Sequence, residues 1–282
     1  MKPKTIKAFY SQENVNAFTR LIISSGLPYK ISLSNYSAKI ESPLYNVSFS
    51  KNTFSIRLFA AYQSLKKDVS AHTPPNIEDS KVRYYNIKPF AADFYADRIN
   101  NTDINSAYAC ILHNAGYISK ETFTRIMKLP KVERLACLGM IASRKEIYHM
   151  NKKNEVEIIE DINNPLSPFF YFCADKTFNI MEDVRVNILQ GDFLFSWVDG
   201  IYYNQGPTSK INAVIESYLK EVYGLDCKHK ELTEFQLKAE TEIYRMTFQE
   251  SGKLKSFAIP KPESQMKRDI INHLINKHKK ND

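Results

Sequence analysis

Two isolated aspartates are the residues of this chain best placed to do chemistry. Asp103 follows a run typical of a β-strand, and Asp199 lies between two apolar, aromatic-rich arms that predict a β-hairpin. A carboxylate at such a turn either caps the turn or faces a site. Two carboxylates on neighbouring strands can hold two divalent ions, which activate a hydroxyl nucleophile and stabilise the leaving oxygen in phosphoryl transfer. Because Mg²⁺ needs only one or two protein carboxylates, the pair predicts a site for two Mg²⁺ or Mn²⁺ ions.

Periodicity, turn residues and caps predict the elements that must position these aspartates. A strand is expected to end near Thr102, and Asp199 is expected at the turn of a hairpin over 193–203. Two further hairpins are predicted, over 47–59 and around 250–252. Helices are predicted to begin after Asp103, at Ser119, at Lys131 (ending near Tyr148), at Asp175 (ending at Gln190) and at Ile211 (ending before Gly224).

The composition is that of a soluble globular protein. The chain has 282 residues, of which 43% are hydrophobic, and its four cysteines form no Cys-x-x-Cys pair. A zinc ribbon or a disulfide scaffold is therefore not expected. Such cysteine usage is typical of a protein in a reducing cytoplasm, which is where we expect it. No signal peptide and no membrane-spanning run is recognisable, so no membrane partner is expected.

The charge favours an anionic partner. The net charge is +8, and residues 253–282 alone carry eight basic against three acidic side chains. A basic surface attracts polyanions, nucleic acid above all. A basic C-terminal helix is predicted there, with Lys253, Lys267 and Arg268 as candidate contacts to DNA, and a solvated helix face is the alternative.

The two aspartates lie in motifs that resemble those of the family-B DNA polymerases. The run from Asp103 to Tyr108 is similar to motif A, which has Asp, then Ser three residues later and Tyr two residues after that. The run from Trp197 to Ile201 is similar to motif C, and Lys131 followed eight residues later by Gly is similar to motif B. A fourth run, from Lys255 to Phe257, is similar to the Lys-x-Tyr motif of the family, and all four motifs occur in the family's order over residues 98–260. The resemblance is strongest to the protein-primed phage and plasmid branch.

The resemblance implies roles for individual residues. Asp103 and Asp199 match the two catalytic, metal-binding carboxylates. For the incoming nucleotide, Tyr108 matches the residue under the sugar, Ser106 lies in the stretch facing the triphosphate, and Lys131 matches the motif-B lysine. Further triphosphate contacts are expected from Arg134, as the alternative to Lys131, and from Arg125 and Lys128. The primer–template positions are matched by Lys255 and Phe257, which resemble the Lys-x-Tyr motif.

The resemblance also implies a fold and a setting. The expected fold class is α+β, with a palm-type antiparallel sheet backed by helices. The expected domains are an N-terminal α+β region over 1–98, a palm over 99–262 with small helical fingers at 113–150, and a basic C-terminal helix over 263–282 as a thumb remnant. The expected activity is template-directed DNA synthesis from dNTPs in the replication of a phage or other mobile element, inside a bacterial or phage-infected cell. The partners would be a primer–template and a priming protein or other replication factor.

The sequence also departs from the family pattern, which keeps other functions open. The Pro after motif A is Ala109, the first Asp of motif C is Trp197, and two motif-B positions are Leu135 and Leu138. One alternative is a catalytically degenerate palm that acts as a nucleic-acid-binding replication or regulatory subunit. Another is a related palm enzyme, such as a primase or an untemplated nucleotidyltransferase.

Overall fold

The computed structural model describes residues 2–34, 37–50, 55–78, 81–87, 93–204, 210–240 and 243–259. Over these residues the fold is α+β, as the sequence predicts, with seven α-helices and thirteen strands. In chain order the elements are β1 (Lys4–Phe9), α1 (Gln12–Ile23), β2 (Tyr29–Leu33), β3 (Ser37–Glu41), β4 (Tyr45–Ser50), α2 (Ile56–Ser70), β5 (Tyr85–Ile87), β6 (Phe94–Ile104), α3 (Ala107–Asn114), α4 (Lys120–Met127), α5 (Lys131–Gly139), β7 (Arg144–Met150), β8 (Val156–Asn163), α6 (Ser167–Val184), β9 (Phe193–Trp197), β10 (Gly200–Tyr203), α7 (Ile211–Tyr223), β11 (Cys227–Glu240), β12 (Ile243–Glu250) and β13 (Lys253–Ile259).

The described part of the chain divides into two compact units that interleave in sequence. The first comprises Met1–Ile56 and Ala142–Ser167, and the second comprises Arg57–Ile141 and Pro168–Pro262. Within the described residues the chain therefore crosses between units after residues 56, 141 and 167. Both motif aspartates belong to the second unit.

The first unit is a six-stranded sheet with a helix packed on it. The strand order is β1-β4-β3-β2-β7-β8, in which only the β1–β4 pair is parallel. Helix α1 begins after Ser11, whose side chain accepts a hydrogen bond from the Asn14 amide at 3.1 Å. The helix presents Val15 and Ile22 to the sheet core, which consists of residues that alternate along the strands: Tyr29, Ile31, Leu33, Ala38, Ile40, Val47, Phe49 and Met150.

The second unit is built on a seven-stranded sheet that curls on itself. Its strand order is β13-β12-β11-β6-β10-β9-β5, and every pair is antiparallel. Aromatic contacts join the two ends of the strand order. Trp197 on β9 lies edge-on to Phe257 on β13 at 5.8 Å between ring centres, and Tyr85 on β5 lies 6.2 Å from Tyr244 on β12. The concave face is filled by an apolar cluster that contains Ile99, Phe195, Tyr202, Leu232, Phe235, Leu237, Met246 and Phe248.

Helix α7 packs on the convex face of this sheet. Thr102 and Asp103 are consecutive on β6, so their side chains point to opposite faces. On the convex face Thr102 bonds to Tyr203 at 2.9 Å, and the Tyr203 hydroxyl donates to Asn212 on α7 at 2.5 Å. Asp103 is thereby placed on the concave face, away from α7.

Four features of the fold differ from the sequence-based prediction. The second arm of the hairpin predicted over 47–59 is wrong, because α2 begins at Ile56 and buries Leu58, Ala61, Leu65 and Val69 at helical spacing. The helix predicted from Lys131 to Tyr148 ends at Gly139, and residues 144–150 form β7 because they pair with β2 and β8. Helix α6 begins at Ser167 rather than at Asp175. Strand β11, the longest strand of the second sheet, was not anticipated.

The other local predictions that fall on described residues are confirmed. Asp199 lies at the turn of the β9–β10 hairpin, and the hairpin around residue 251 joins β12 to β13. Ser119 caps α4 by accepting from the Thr122 amide at 3.2 Å, and Gly224, with φ of +64°, ends α7. Within the described ranges, no helix combines the length and the apolar character needed to cross a membrane.

Candidate active site

The sheet brings the two motif aspartates together. Asp103 lies near the end of β6 and pairs in register with Gly200, the residue that follows Asp199. The Ile104 amide donates to the Asp199 carbonyl at 2.9 Å, so the β9–β10 turn is bonded to the end of β6. Both carboxylates therefore lie at one end of the curled sheet of the second unit.

The turn that carries Asp199 has a strained backbone. Val198 has φ of +55°, although a β-branched side chain disfavours this left-handed region. Such a conformation costs about 1–3 kcal/mol and persists only where its surroundings impose it. The Val198 amide donates to the Tyr84 carbonyl at 2.8 Å, and Trp197 pairs with Gly200 across the turn. The hairpin is thus held in one geometry, and Asp199 is held with it.

The electrostatics show that the two carboxylates interact. The pKa of Asp199 is raised from 3.8 to about 6, mainly by burial and then by the negative charge of Asp103. The backbone N–H of Asp199 and the charges of Lys131 and Lys228 oppose this rise. A half-buried carboxylate beside another carboxylate is destabilised when ionised, and a divalent cation relieves that cost. The donor set therefore fits a divalent cation between Asp103 and Asp199.

Asp103 also takes part in a chain of ion pairs that sequence reasoning did not foresee. Lys230 on β11 places its Nζ 3.0 Å from Oδ2 of Asp103 and 3.2 Å from Glu250 on β12. Glu250 is paired in turn with Lys255 on β13. We call these four residues, Asp103, Lys230, Glu250 and Lys255, the charge chain; it crosses four adjacent strands.

The ion pairs of the charge chain shift the pKa values of Lys230 and Glu250. Burial works against the charge of Lys230, but hydrogen bonds to Asp103 and Glu250 outweigh it and raise the Lys230 pKa above its ordinary value. The hydrogen bond from Lys255 lowers the pKa of Glu250, against the opposing effect of burial. The charged forms of Lys230 and Glu250 are therefore favoured by their neighbours.

Asn101 and Gly200 fix the other side of the Asp103 carboxylate. With its side-chain amide turned so that both ends are satisfied, Asn101 donates to Oδ1 at 3.2 Å and to Oδ2 at 3.3 Å. Oδ1 lies over Gly200, where a Cβ atom would be only 2.8 Å away. Oδ1 thus faces the strand that follows Asp199, while Oδ2 faces Lys230.

The two motif-A residues expected near the nucleotide lie at the start of α3. Ser106 is the N-cap position, with φ of +53° and no capping bond from its side chain. The ring of Tyr108 packs edge-on against Phe170 at 4.9 Å. Burial raises the pKa of Tyr108, and the negative charge of Asp199 adds to the rise. Tyr108 therefore lies within electrostatic range of Asp199.

The basic side chains expected to contact the triphosphate differ in their surroundings. Lys131, at the start of α5, is exposed and lowers the pKa of Asp199, so the fold brings it toward the aspartates. Arg134 places a guanidinium nitrogen 3.8 Å from the sulfur of Met127. Arg125 pairs with Glu121 at 2.6 Å and donates to Ser64 at 3.3 Å. The hydrogen bonds of Arg125 are thus made within the helices and not to the aspartates.

The candidate DNA contacts also differ from one another. Lys253 is exposed beside the β12–β13 turn, whereas Lys255 is paired with Glu250. Phe257 stacks on Phe248 at 5.9 Å and meets Trp197. Two further candidates, Lys267 and Arg268, lie outside the described residues, as does the predicted C-terminal helix.

Sequence reasoning missed Lys228, Lys230, Glu250 and Asn101, all of which lie near Asp103 or Asp199. The pattern that could have found two of them is the spacing of Lys228 and Lys230, which places both lysines on one face of a strand. In the structure Lys228 pairs in register with Asp103 and Lys230 with Asn101. Glu250 gives no comparable pattern, because its partners come from two other strands.

No cluster of three or more metal-ligating side chains (His, Cys, Asp or Glu) occurs in the part of the chain that the structure describes. The candidate site therefore rests on two carboxylates together with the lysines around them. A scan against models of known protein families found no match for this chain, and a search of curated proteins found no relative.

Proposed function

We propose that the second unit is a palm-type nucleotidyltransferase that extends a DNA primer on a template. The observation that carries the proposal is the pairing of Gly200 with Asp103, which joins the motif-A and motif-C aspartates on adjacent strands. The raised pKa of Asp199, caused by burial and by Asp103, supports a cation-binding role for the pair. The order of the motifs along the chain supports the palm assignment.

The proposed reaction is a phosphoryl transfer. The oxygen of a primer 3′-hydroxyl, or of a protein hydroxyl, forms a bond to the α-phosphorus of a dNTP. The bond from that phosphorus to the bridging oxygen breaks, pyrophosphate leaves with the electron pair, and the hydroxyl proton passes to solvent. A divalent cation, Mg²⁺ or Mn²⁺, held by Asp103 and Asp199 supplies positive charge for the attacking and leaving oxygens.

The other residues of the site have positions that suit the substrates. Lys131 is exposed and carries its charge toward Asp199, which suits a contact to the triphosphate. The ring of Tyr108, held against Phe170, suits the surface under the sugar. Lys253 is exposed on the last hairpin, where a contact to the primer–template backbone is sterically open.

A second function is favoured by one observation. The Lys230 ammonium lies 3.0 Å from Asp103, so the charge of this carboxylate is already compensated without a metal. A palm that has lost catalysis and serves as a nucleic-acid-binding subunit would tolerate such a pair. It would bind DNA with a steep salt dependence and show no metal-dependent turnover.

Primer extension tests the proposal. A labelled primer annealed to a DNA template is incubated with four dNTPs and Mg²⁺ or Mn²⁺, using wild type, Asp199→Asn and Asp192→Asn. Asp192 is an exposed carboxylate just before the same hairpin, so its variant matches the change of charge without touching the site. We expect extension by wild type and Asp192→Asn, and a loss of at least about 10³-fold in Asp199→Asn.

Three other outcomes of this assay would lead to different conclusions. Equal extension by Asp199→Asn contradicts the proposed role of the pair. No extension by wild type, together with salt-sensitive binding of the same DNA, supports the non-catalytic subunit. A product whose sequence does not follow the template indicates an untemplated transferase.

A further inference from the structure

The oxygens of Asp103 face two different partners. Oδ2 is 3.0 Å from the Lys230 ammonium, while Oδ1 lies over Gly200, close to Asp199. A carboxylate that bridges two metal ions usually offers one oxygen to each of them. Here one of the two oxygens is already engaged by a positive charge.

Lys230 is fixed in this position by its surroundings. It is on the strand next to β6 and shares the concave face with Asp103, because Lys228 is the in-register partner of Asp103 and Lys230 follows two residues later. On its other side it pairs with Glu250 at 3.2 Å, and Glu250 is itself anchored by Lys255. The side chains of Lys230, Asp103 and Glu250 are 30%, 22% and 20% exposed, so water screens their attraction only in part.

We propose that Lys230 is a built-in cation that takes the place of one of the two divalent ions, so that the Asp103–Asp199 pair holds a single ion. The inference rests on the proposed function, since it assumes that this pair binds a metal. The resemblance to family-B polymerases implies two ions, and the position of Lys230 is what separates this chain from that expectation. Asp199 and the Asp103 oxygen that does not face Lys230 would hold this single ion.

The inference makes Lys230 a positioning residue for metal binding. Replacing it with Met keeps the length of the aliphatic stem and removes the charge from Oδ2. A second divalent ion then gains access to Asp103, and the first ion binds more tightly because a repelling charge is gone.

Counting bound Mn²⁺ ions tests this inference directly. Free Mn²⁺ is followed by electron paramagnetic resonance while the intact chain, without nucleotide or DNA, is titrated to saturation. The variants are Lys230→Met, Lys230→Arg, Asp199→Asn and Lys238→Met, the last being an exposed lysine on the same strand that serves as the matched control. Circular dichroism checks that each variant is folded.

We expect one ion per chain for wild type, Lys230→Arg and Lys238→Met. Lys230→Met should bind two ions, the first about tenfold or more tightly than wild type does, and Asp199→Asn should bind none. Two ions in wild type, or one in a folded Lys230→Met, overturns the inference and leaves the proposed function standing. If Lys230→Met does not fold, the number of ions bound to wild type tests the inference, which requires one. Absence of binding in both wild type and Lys230→Met removes the metal site and with it the proposed function.

Discussion

The contact between Gly200 and Asp103 offers the sharpest perturbation of the candidate site. A Cβ atom at Gly200 would lie 2.8 Å from Oδ1 of Asp103. Even attractive C–H···O contacts keep carbon and oxygen about 3.3–3.6 Å apart, so Gly200→Ala requires a movement of about 0.5–0.8 Å. The φ angle of Gly200 is not positive, so the backbone itself accepts alanine. The variant therefore tests the steric contact alone.

The carboxylate cannot move freely, and this sets the size of the effect. Asp103 is held by Lys230 at 3.0 Å and by Asn101, and its strand is hydrogen-bonded on both sides. Overpacking at a constrained position costs about 1–3 kcal/mol. We expect Gly200→Ala to lower the free energy of unfolding by about 2 kcal/mol, and to weaken Mn²⁺ binding because Asp103 is displaced.

Chemical denaturation followed by circular dichroism measures the first effect, and a Mn²⁺ titration measures the second. Gly191→Ala is the matched control, because nothing lies within 4 Å of a Cβ atom there and the φ angle of Gly191 is not positive either. This control should change stability by less than about 0.5 kcal/mol. If Gly200→Ala is as stable as Gly191→Ala and binds Mn²⁺ equally well, the close packing of Asp103 over Gly200 is refuted.

Two further predictions concern the turn that carries the second aspartate. Val198→Gly should be about 1 kcal/mol more stable than Val198→Ala in chemical denaturation, because both lose the side chain but only glycine accepts the φ of +55° without strain; equal stabilities would contradict the strained turn. Because the pKa of Asp199 rises from 3.8 to about 6 on folding, the metal-free folded state binds this proton more tightly, and stability falls as pH rises between these values. With EDTA present, Asp199→Asn should lack this fall, and its free energy of unfolding at pH 7 should exceed that of wild type by about 1–2 kcal/mol, allowing for partial exposure. Parallel profiles of stability against pH for the two proteins would show that folding does not raise the pKa of Asp199.

Those parts of the site that depend on neighbouring residues are predictable from the sequence. The β9–β10 hairpin with Asp199 at its turn, the change from strand to helix after Asp103, and the cap of α4 at Ser119 were all predicted. Each is set by interactions within a few residues, such as a side chain that bonds the next turn of backbone. For the same reason Gly224 marked the end of α7, since its φ of +64° suits glycine.

Local patterns failed where long-range pairing decides the structure. Short apolar runs do not distinguish a strand from a helix, so Ile56–Ser70 was placed partly in a hairpin although it forms α2. Residues 144–150 continued a helical pattern but form β7, because their backbone pairs with β2 and β8. Strand β2, one of the two partners of β7, lies far earlier in the chain, so this pairing is not visible in the local sequence.

The charges around Asp103 depend on how strands distant in sequence are ordered in the sheet. Strand β11 inserts between β6 and β12, and this order brings Lys230 and Glu250, from two different strands, next to the motif-A aspartate. The attraction between such side chains depends on strand order and register, because a shift of one residue would turn Lys230 to the opposite face of the sheet. The sequence thus indicated the two carboxylates, and the fold supplied the cation that accompanies them.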